Sequence, residues 1–152
     1  MGRRPRVIYA VHDFPPEATA GTELQALWMA RELSRKFQIF VFTRTHDPRL
    51  KEYEVRDERR EGLRIRRVKV SGKFWLNPAD QYVNSRVDEL FAEFLDEVGP
   101  KLVHVHHTFG MSGGIIEVAR SRQVPVLLQT RDFYYMCDRI HLLTAKNRTR
   151  GS

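Results

Sequence analysis

Histidine, aspartate, threonine and arginine gather wherever a short apolar run of this chain ends. His12-Asp13 follows VIYAV, Thr43-Arg44 closes IFVFT, and Ser71-Gly72 follows RVKV. Further on, His106-His107-Thr108 follows LVHV and Thr130-Arg131-Asp132 follows VLLQ. Side chains of these types bond hydroxyls, hold phosphate oxygens or carry protons. In open α/β sheets, ligands bind in the crevice outside the carboxyl ends of the strands. If the apolar runs are parallel strands, the polar clusters share one edge and form one candidate site. The connectors expected at the opposite edge, Gly99-Pro100 and Gln123-Val124-Pro125, carry much less chemistry.

The loop HDFPPEATAGTE joins the first apolar run to a helical pattern. Thr22 and Gln25 have capping-box spacing, which predicts a helix start at Thr22. Gly21 allows a positive φ and puts no side chain over that start. The free N–H groups of the first turn would then suit a phosphate, carboxylate or sugar hydroxyl. The residues alone equally allow a plainer reading, in which Gly21 permits a tight turn and Thr22 caps.

Other chemistries fit less well. No Gly-x-Gly-x-x-Gly follows the first run, the second ends in Thr-Arg rather than an acid, and no Gly-Lys-Ser/Thr occurs, so dinucleotide and Walker-type sites are not expected. Alternation puts His104 and His106 on one face and His107 on the other, with no cysteine or carboxylate at ligand spacing, so no metal is expected. Cys137, beside Tyr134, Tyr135 and Met136, reads as a packed thiol. Trp28 and Met29 flank the first helix stripe and read as core or as an interdomain contact.

The elements follow from periodicity. Residues 7–11 and 39–43 read as strands buried on both faces, as in a parallel sheet. Between them a helix runs from about Leu24 to Lys36, with Ala26, Ala30, Leu33 and Phe37 on one stripe. Leu63 to Val70 reads as a hairpin strand after a turn at Glu61-Gly62. Asn77-Pro78 reads as the cap and first position of a helix whose apolar face holds Val83, Val87, Leu90, Phe91, Phe94, Leu95 and Val98. Gly99-Pro100 stops it. LVHVH, GIIEVARSR and VPVLLQT then read as strand, helix and strand. The fold expected is an α/β, Rossmann-like, doubly wound and mainly parallel sheet. Residues 1–143 form the domain and 144–152 a tail.

The 152 residues are 41% hydrophobic and 30% charged, which suits one globular core. No apolar run reaches the roughly 18–20 residues that span a bilayer. The start MGRRPR leads into a strand-sized run, and the single cysteine rules out an internal disulfide, so a cytoplasmic site is expected. The net charge is +7. Between Arg44 and Lys73, 11 basic residues face 6 acidic ones. That stretch fits either a salt-bridged surface hairpin or attraction to anionic lipid or phosphorylated substrates. The interspersed acids and the lack of a known module argue against nucleic acid.

Two stretches resemble the family 4 glycosyltransferases. HDFPPEATAGTELQALWMARELS is similar to their Phe-Pro-Pro…Gly-Gly-x-Glu loop and first helix. PKLVHVHHTFGMSGGIIEVARSRQVPVLLQTRDFYYMCDRIHLL is similar to their Pro-Asp-Val-Val-His-x-His segment and the Thr-x-His-Asp run that follows. The likeness spans about Val7 to Leu143. It implies one half of a GT-B enzyme: the amino-terminal, acceptor-binding domain of a retaining, metal-independent enzyme that takes its sugar from a nucleotide-sugar co-substrate. It further implies a carboxyl-terminal donor domain as partner, in the same full-length chain or a separate one, and a sugar or lipid-linked acceptor at the cytoplasmic side of a membrane.

On that resemblance, substrate would be bound by His12, Ala20, Gly21, Thr22 and Glu23 on the loop, and by His107, Thr130 and Arg131 across from it. His107, Arg131 and Asp132 are the candidates nearest the chemistry, in a catalytic set that is incomplete in this chain. The family's Gly-Gly is Ala20-Gly21 here, and its histidine in Thr-x-His-Asp is Arg131, permanently charged and without an acceptor lone pair. The donor domain's paired glutamates are not in this sequence, so no turnover is expected from this chain alone. The alternative is a non-catalytic module that binds a glycan or an anionic lipid on the same scaffold.

Overall fold

The computed structural model describes residues 2–71, 79 and 82–137. β1 (Arg6–Val11), β2 (Gln38–Thr45), β4 (Leu63–Lys69), β5 (Leu102–His107) and β6 (Val126–Leu128) run parallel, and β3 (Val55–Arg60) pairs antiparallel with β4. The sheet order is β3-β4-β2-β1-β5-β6. Chain order reverses at β1, which lies between β2 and β5, so the crevice of this sheet opens beyond the ends of β1 and β5.

Alternation along the strands makes two cores. Val7, Tyr9, Val11, Ile39, Val41 and Ile65 face α1 (Gly21–Leu33), which contributes Ala26, Leu27 and Ala30. Ile8, Ala10, Phe40, Phe42, Val103 and Val105 face α2 (Ser85–Val98) and α3 (Gly114–Ser121), meeting Leu90, Phe91, Phe94 and Ile115. Both faces of β1 and β2 are therefore buried, as their unbroken apolar runs predict.

Several boundaries differ from the sequence reading. α1 starts at Gly21, with Ala20 as an extended N-cap residue that makes no side-chain cap bond, so the Thr22–Gln25 capping box does not form. Gly21 is the first helical residue and is not among the positive-φ glycines, which are Gly62, Gly99 and Gly110. The helix ends at Leu33, short of Lys36; Phe37 still packs on the α1 core from the turn that follows. The Asn77-Pro78 start lies outside the described residues. α2 is capped by Asn84, whose side chain accepts from Val87 N at 3.2 Å, and Val83 precedes the helix and is exposed.

Other expectations hold. Glu61 and Gly62 have φ 52° and 79°, the left-handed pair of a tight hairpin turn. Gly99 closes α2 in the left-handed conformation. β6 covers only part of VPVLLQT because it is an edge strand paired to β5 alone, which leaves Leu127 and Leu128 exposed. Trp28 is 57% exposed and so is not core, while Met29 is half-buried against the α1 core. Cys137 is buried. The tail from 144 lies outside the described residues.

The basic stretch is a salt-bridged hairpin. Arg56 pairs with Glu17 and Asp47, Arg64 and Arg66 with Asp57 and Glu97, and Arg67 with Glu58. Arg67 is fully buried and also donates to the carbonyls of Phe14 (3.1 Å) and Pro15 (2.7 Å). It thereby ties the hairpin to the loop that leads to α1.

Candidate functional site

At the carboxyl edge, β1 and β5 change register. Ala10 pairs with Val105 but Val11 pairs with His107, so a bulge carries His106 past without a partner. His106 stays on the α1 face, where its ring lies 4.0 Å from that of His104 and 4.6 Å from that of Tyr9. His107 emerges at the crevice with its ring 4.7 Å from that of His12. The face split expected from alternation is thus present.

The loop from His12 folds the start of α1 back over the end of β1. His12 Nε2 lies 3.0 Å from Glu23 Oε1 in the first turn of α1. Glu23 is 3% exposed, and its other oxygen, Oε2, is buried without a partner, as is His12 Nδ1. Burial, then the neighbouring His107, pushes the His12 pKa down to about 4, so the ring is neutral near pH 7. With the Nε2 proton given to Glu23, Nδ1 keeps a lone pair. Glu23 Oε2 and His12 Nδ1 are therefore two unspent acceptors beside one cleft.

Donors face the same space. The first bond within α1 is Leu24 N to Ala20 O at 3.1 Å, which leaves the N–H groups of Gly21, Thr22 and Glu23 without helical partners. The cleft, about 310 Å³, is lined by His12, Ala20 to Glu23, His107, Phe109 and Asp132. The loop amides and His107 thus share one groove.

His107 is not a free base. Its Nδ1 accepts from Phe109 N at 3.0 Å, which fixes the proton on Nε2, and Nε2 donates to Asp132 Oδ2 at 3.1 Å. Asp132 Oδ1 in turn accepts from Tyr134 N at 2.9 Å. The pair forms a wall of the cleft with its orientation fixed from both ends. On the other flank, Asp13 takes the Arg44 fork at 2.9 and 3.1 Å. Burial alone would raise the Asp13 pKa, but the Arg44 bonds and charge outweigh it and the net direction is down.

His12, Asp13 and Glu23 place ligand atoms within 4.8 Å of one another, a spacing a cation could use. Yet Arg44 already bridges both Asp13 oxygens and Glu23 Oε1 is held by His12. A further positive charge would sit against a guanidinium, so the arrangement favours a hydroxyl over a cation.

Two sequence candidates sit elsewhere. Thr130 is exposed and does not line the cleft. The Arg131 guanidinium lies on the His106 side, donating from Nη2 to His106 Nδ1 at 2.9 Å and to Gln129 Oε1 at 3.1 Å. Asp13 and Arg44 lie at this edge, as their strand-end clusters predict, whereas Phe109 was not foreseen as part of it. Its only signal was position just past a strand. A second cleft, about 230 Å³, opens at the opposite edge of the sheet among Arg3, Arg6, Arg59, Arg64 and Glu97. There Arg6 bonds the Val98 carbonyl and Arg64 pairs with Asp57 and Glu97, so these cations cap a helix end and balance acids.

The family model described as "Glycosyl transferase 4-like domain" matches residues 20–150. The chain belongs to this family. Its fold is that of one half of a GT-B glycosyltransferase. It is similar to sucrose-phosphate synthase from Thermosynechococcus elongatus, with a TM-score of 0.52 at 14% identity. The match covers 82% of this glycosyltransferase-like chain and 32% of that enzyme, so the chain spans about a third of the length of its structural relative. No curated protein matches the sequence. Among the described residues, no helix is long and apolar enough to cross a membrane.

Proposed function

We propose that this domain is the acceptor-binding half of a retaining, metal-independent glycosyltransferase, and that a nucleotide-sugar donor is held by a second domain beyond these residues. The observation that carries the reading is the pairing of unspent acceptors with unspent donors in one cleft. A sugar hydroxyl both donates and accepts. It can receive an N–H from Gly21 or Thr22 and, once a side-chain shift opens them to the cleft, give its proton to Glu23 Oε2 or His12 Nδ1. Enclosing those two acceptors unpaired costs about 1–3 kcal/mol each, which a hydroxyl that reaches them recovers. The positive end of α1 also favours an anionic leaving diphosphate at the mouth of the same cleft, with Glu23 setting where that charge cannot go.

Glu23→Gln is the direct test. It keeps the shape and removes an acceptor charge, so transfer by the enzyme assembled with its donor domain should fall by ~10²-fold, the scale of one charge-assisted contact in a water-poor site. Unchanged transfer would remove Glu23 from the acceptor site. The domain alone should show no transfer from a nucleotide sugar.

One observation favours the second reading, a non-catalytic glycan-binding module. His107 Nδ1 already accepts from Phe109 N, and the two Asp132 oxygens already accept from His107 Nε2 and Tyr134 N. The same transfer assay separates the two: glycan binding without turnover in the assembled protein would establish the module.

A further inference from the structure

At the carboxyl edge of the sheet, most guanidinium groups have a carboxylate. Arg44 has Asp13, Arg56 has Glu17, and Arg67 has Glu58. Arg131 has none among the described residues. Its Nη2 spends both hydrogens on neutral acceptors, His106 Nδ1 and Gln129 Oε1. Gln129 Oε1 is itself shared with His104 Nε2 at 3.1 Å. These contacts fix the plane of the guanidinium without neutralising it.

The surroundings supply more donors than acceptors. Arg131 Nε is buried without a partner. Because His106 Nδ1 accepts from Arg131, its proton resides on Nε2, and that atom too is buried and unpartnered, as is the hydroxyl of Tyr9 against the His106 ring. A half-buried, oriented and unbalanced cation is costly unless an anion completes it. Arg131 adjoins Asp132, which lines the sugar cleft, but its own guanidinium lies outside that lining, on the His106 side.

Resting on the acceptor-cleft reading above, we infer that Arg131 is an oxyanion-binding residue, whose Nη1 takes a phosphate or carboxylate of a transferase substrate. Nη1 has both hydrogens unspent, and a guanidinium edge matches the oxygen spacing of phosphate and carboxylate. The anion has two sources, the acceptor itself or the diphosphate of the donor.

The experiment titrates inorganic phosphate into the intact chain and follows Arg131 Nε–H, the His106 ring and the Gly21 to Glu23 amides by NMR. Saturable shifts at Arg131 and His106 are expected, weakened by about tenfold or more in Arg131→Gln, as for loss of a charge-assisted bond. Non-saturating shifts, or equal affinity in the variant, overturn the inference. If Arg131→Gln does not fold, Arg131→Lys keeps the charge but loses the planar fork, and its affinity must fall several-fold. Glucose 6-phosphate against glucose, and uridine diphosphate against uridine, then identify the source. Preference for the sugar phosphate assigns the anion to the acceptor, preference for the diphosphate assigns it to the donor, and preference for neither overturns the ligand assignment. Glucose shifting Gly21 to Glu23 while phosphate leaves Arg131 untouched removes only this inference. No shift from any probe removes the cleft reading as well.

Discussion

Glycine at position 21 is not required by the fold. Its φ is ordinary, and a methyl group built there would meet nothing within 4 Å. As the first residue of α1 it carries the backbone entropy of glycine for no packing return. Gly21→Ala should therefore raise stability by about 0.5–1 kcal/mol, read from the denaturant midpoint, while lowering glycan affinity because it adds bulk at a residue that lines the cleft. The residue was visible in the sequence, but its reason was not: the positive φ read from its type is absent. His107 was likewise legible as a cleft residue from its place after β5. Its tautomer was not, since that is set by Phe109 N and by Asp132, a residue far along the chain.

Among the elements, α2 and α3 meet where Asp88 of α2 lies against the first turn of α3. A Cβ on Gly114 would come within 2.2 Å of Asp88 Oδ2. Gly114→Ala should destabilise the domain by roughly 1–3 kcal/mol, the range for overpacking, and Asp88→Ala in the same protein should restore much of the loss in thermal unfolding. The strands β1, β2 and β5 could be read from their apolar runs, and β4 from its alternation and the Glu61-Gly62 turn, because local sterics decide them. The start of α3 at Gly114 could be read as well, but the cap of α2 could not. Asn84 is anchored by Ser112 Oγ at 3.0 Å and Tyr53 Oη at 3.2 Å, contacts from distant segments. The start of α1 is set similarly, by Glu23 meeting His12 across the loop rather than by the Thr22 hydroxyl.

For the molecule as a whole, the buried histidines set its response to acid. Burial pushes His106 down to about 3 and His12 to about 4, and lowers His104 as well. Between pH 6.5 and about 4 the unfolded chain binds protons on these rings that the folded chain refuses, so stability is full above pH 6.5 and falls through that window. For His12 the full drop is on the order of 3 kcal/mol. Urea midpoints should fall between pH 7 and pH 5, with a flatter slope in His12→Gln. The strand-end rule located the candidate cleft in outline, because sheet topology alone puts His12 and His107 at one edge. The pairings around it, His12 with Glu23 in the cleft and Arg131 with His106 beside it, depend on the bulge between β1 and β5 and on loop closure, which no local pattern encodes. The central claim is that a sugar binds at this edge, and mapping a bound glycan by amide shifts on the intact chain tests it most directly. Shifts centred on Gly21, Thr22, Glu23 and His107 are the outcome expected here. Shifts centred instead on Arg3, Arg6, Arg59 and Arg64 at the far edge, or none with any glycan, would contradict it.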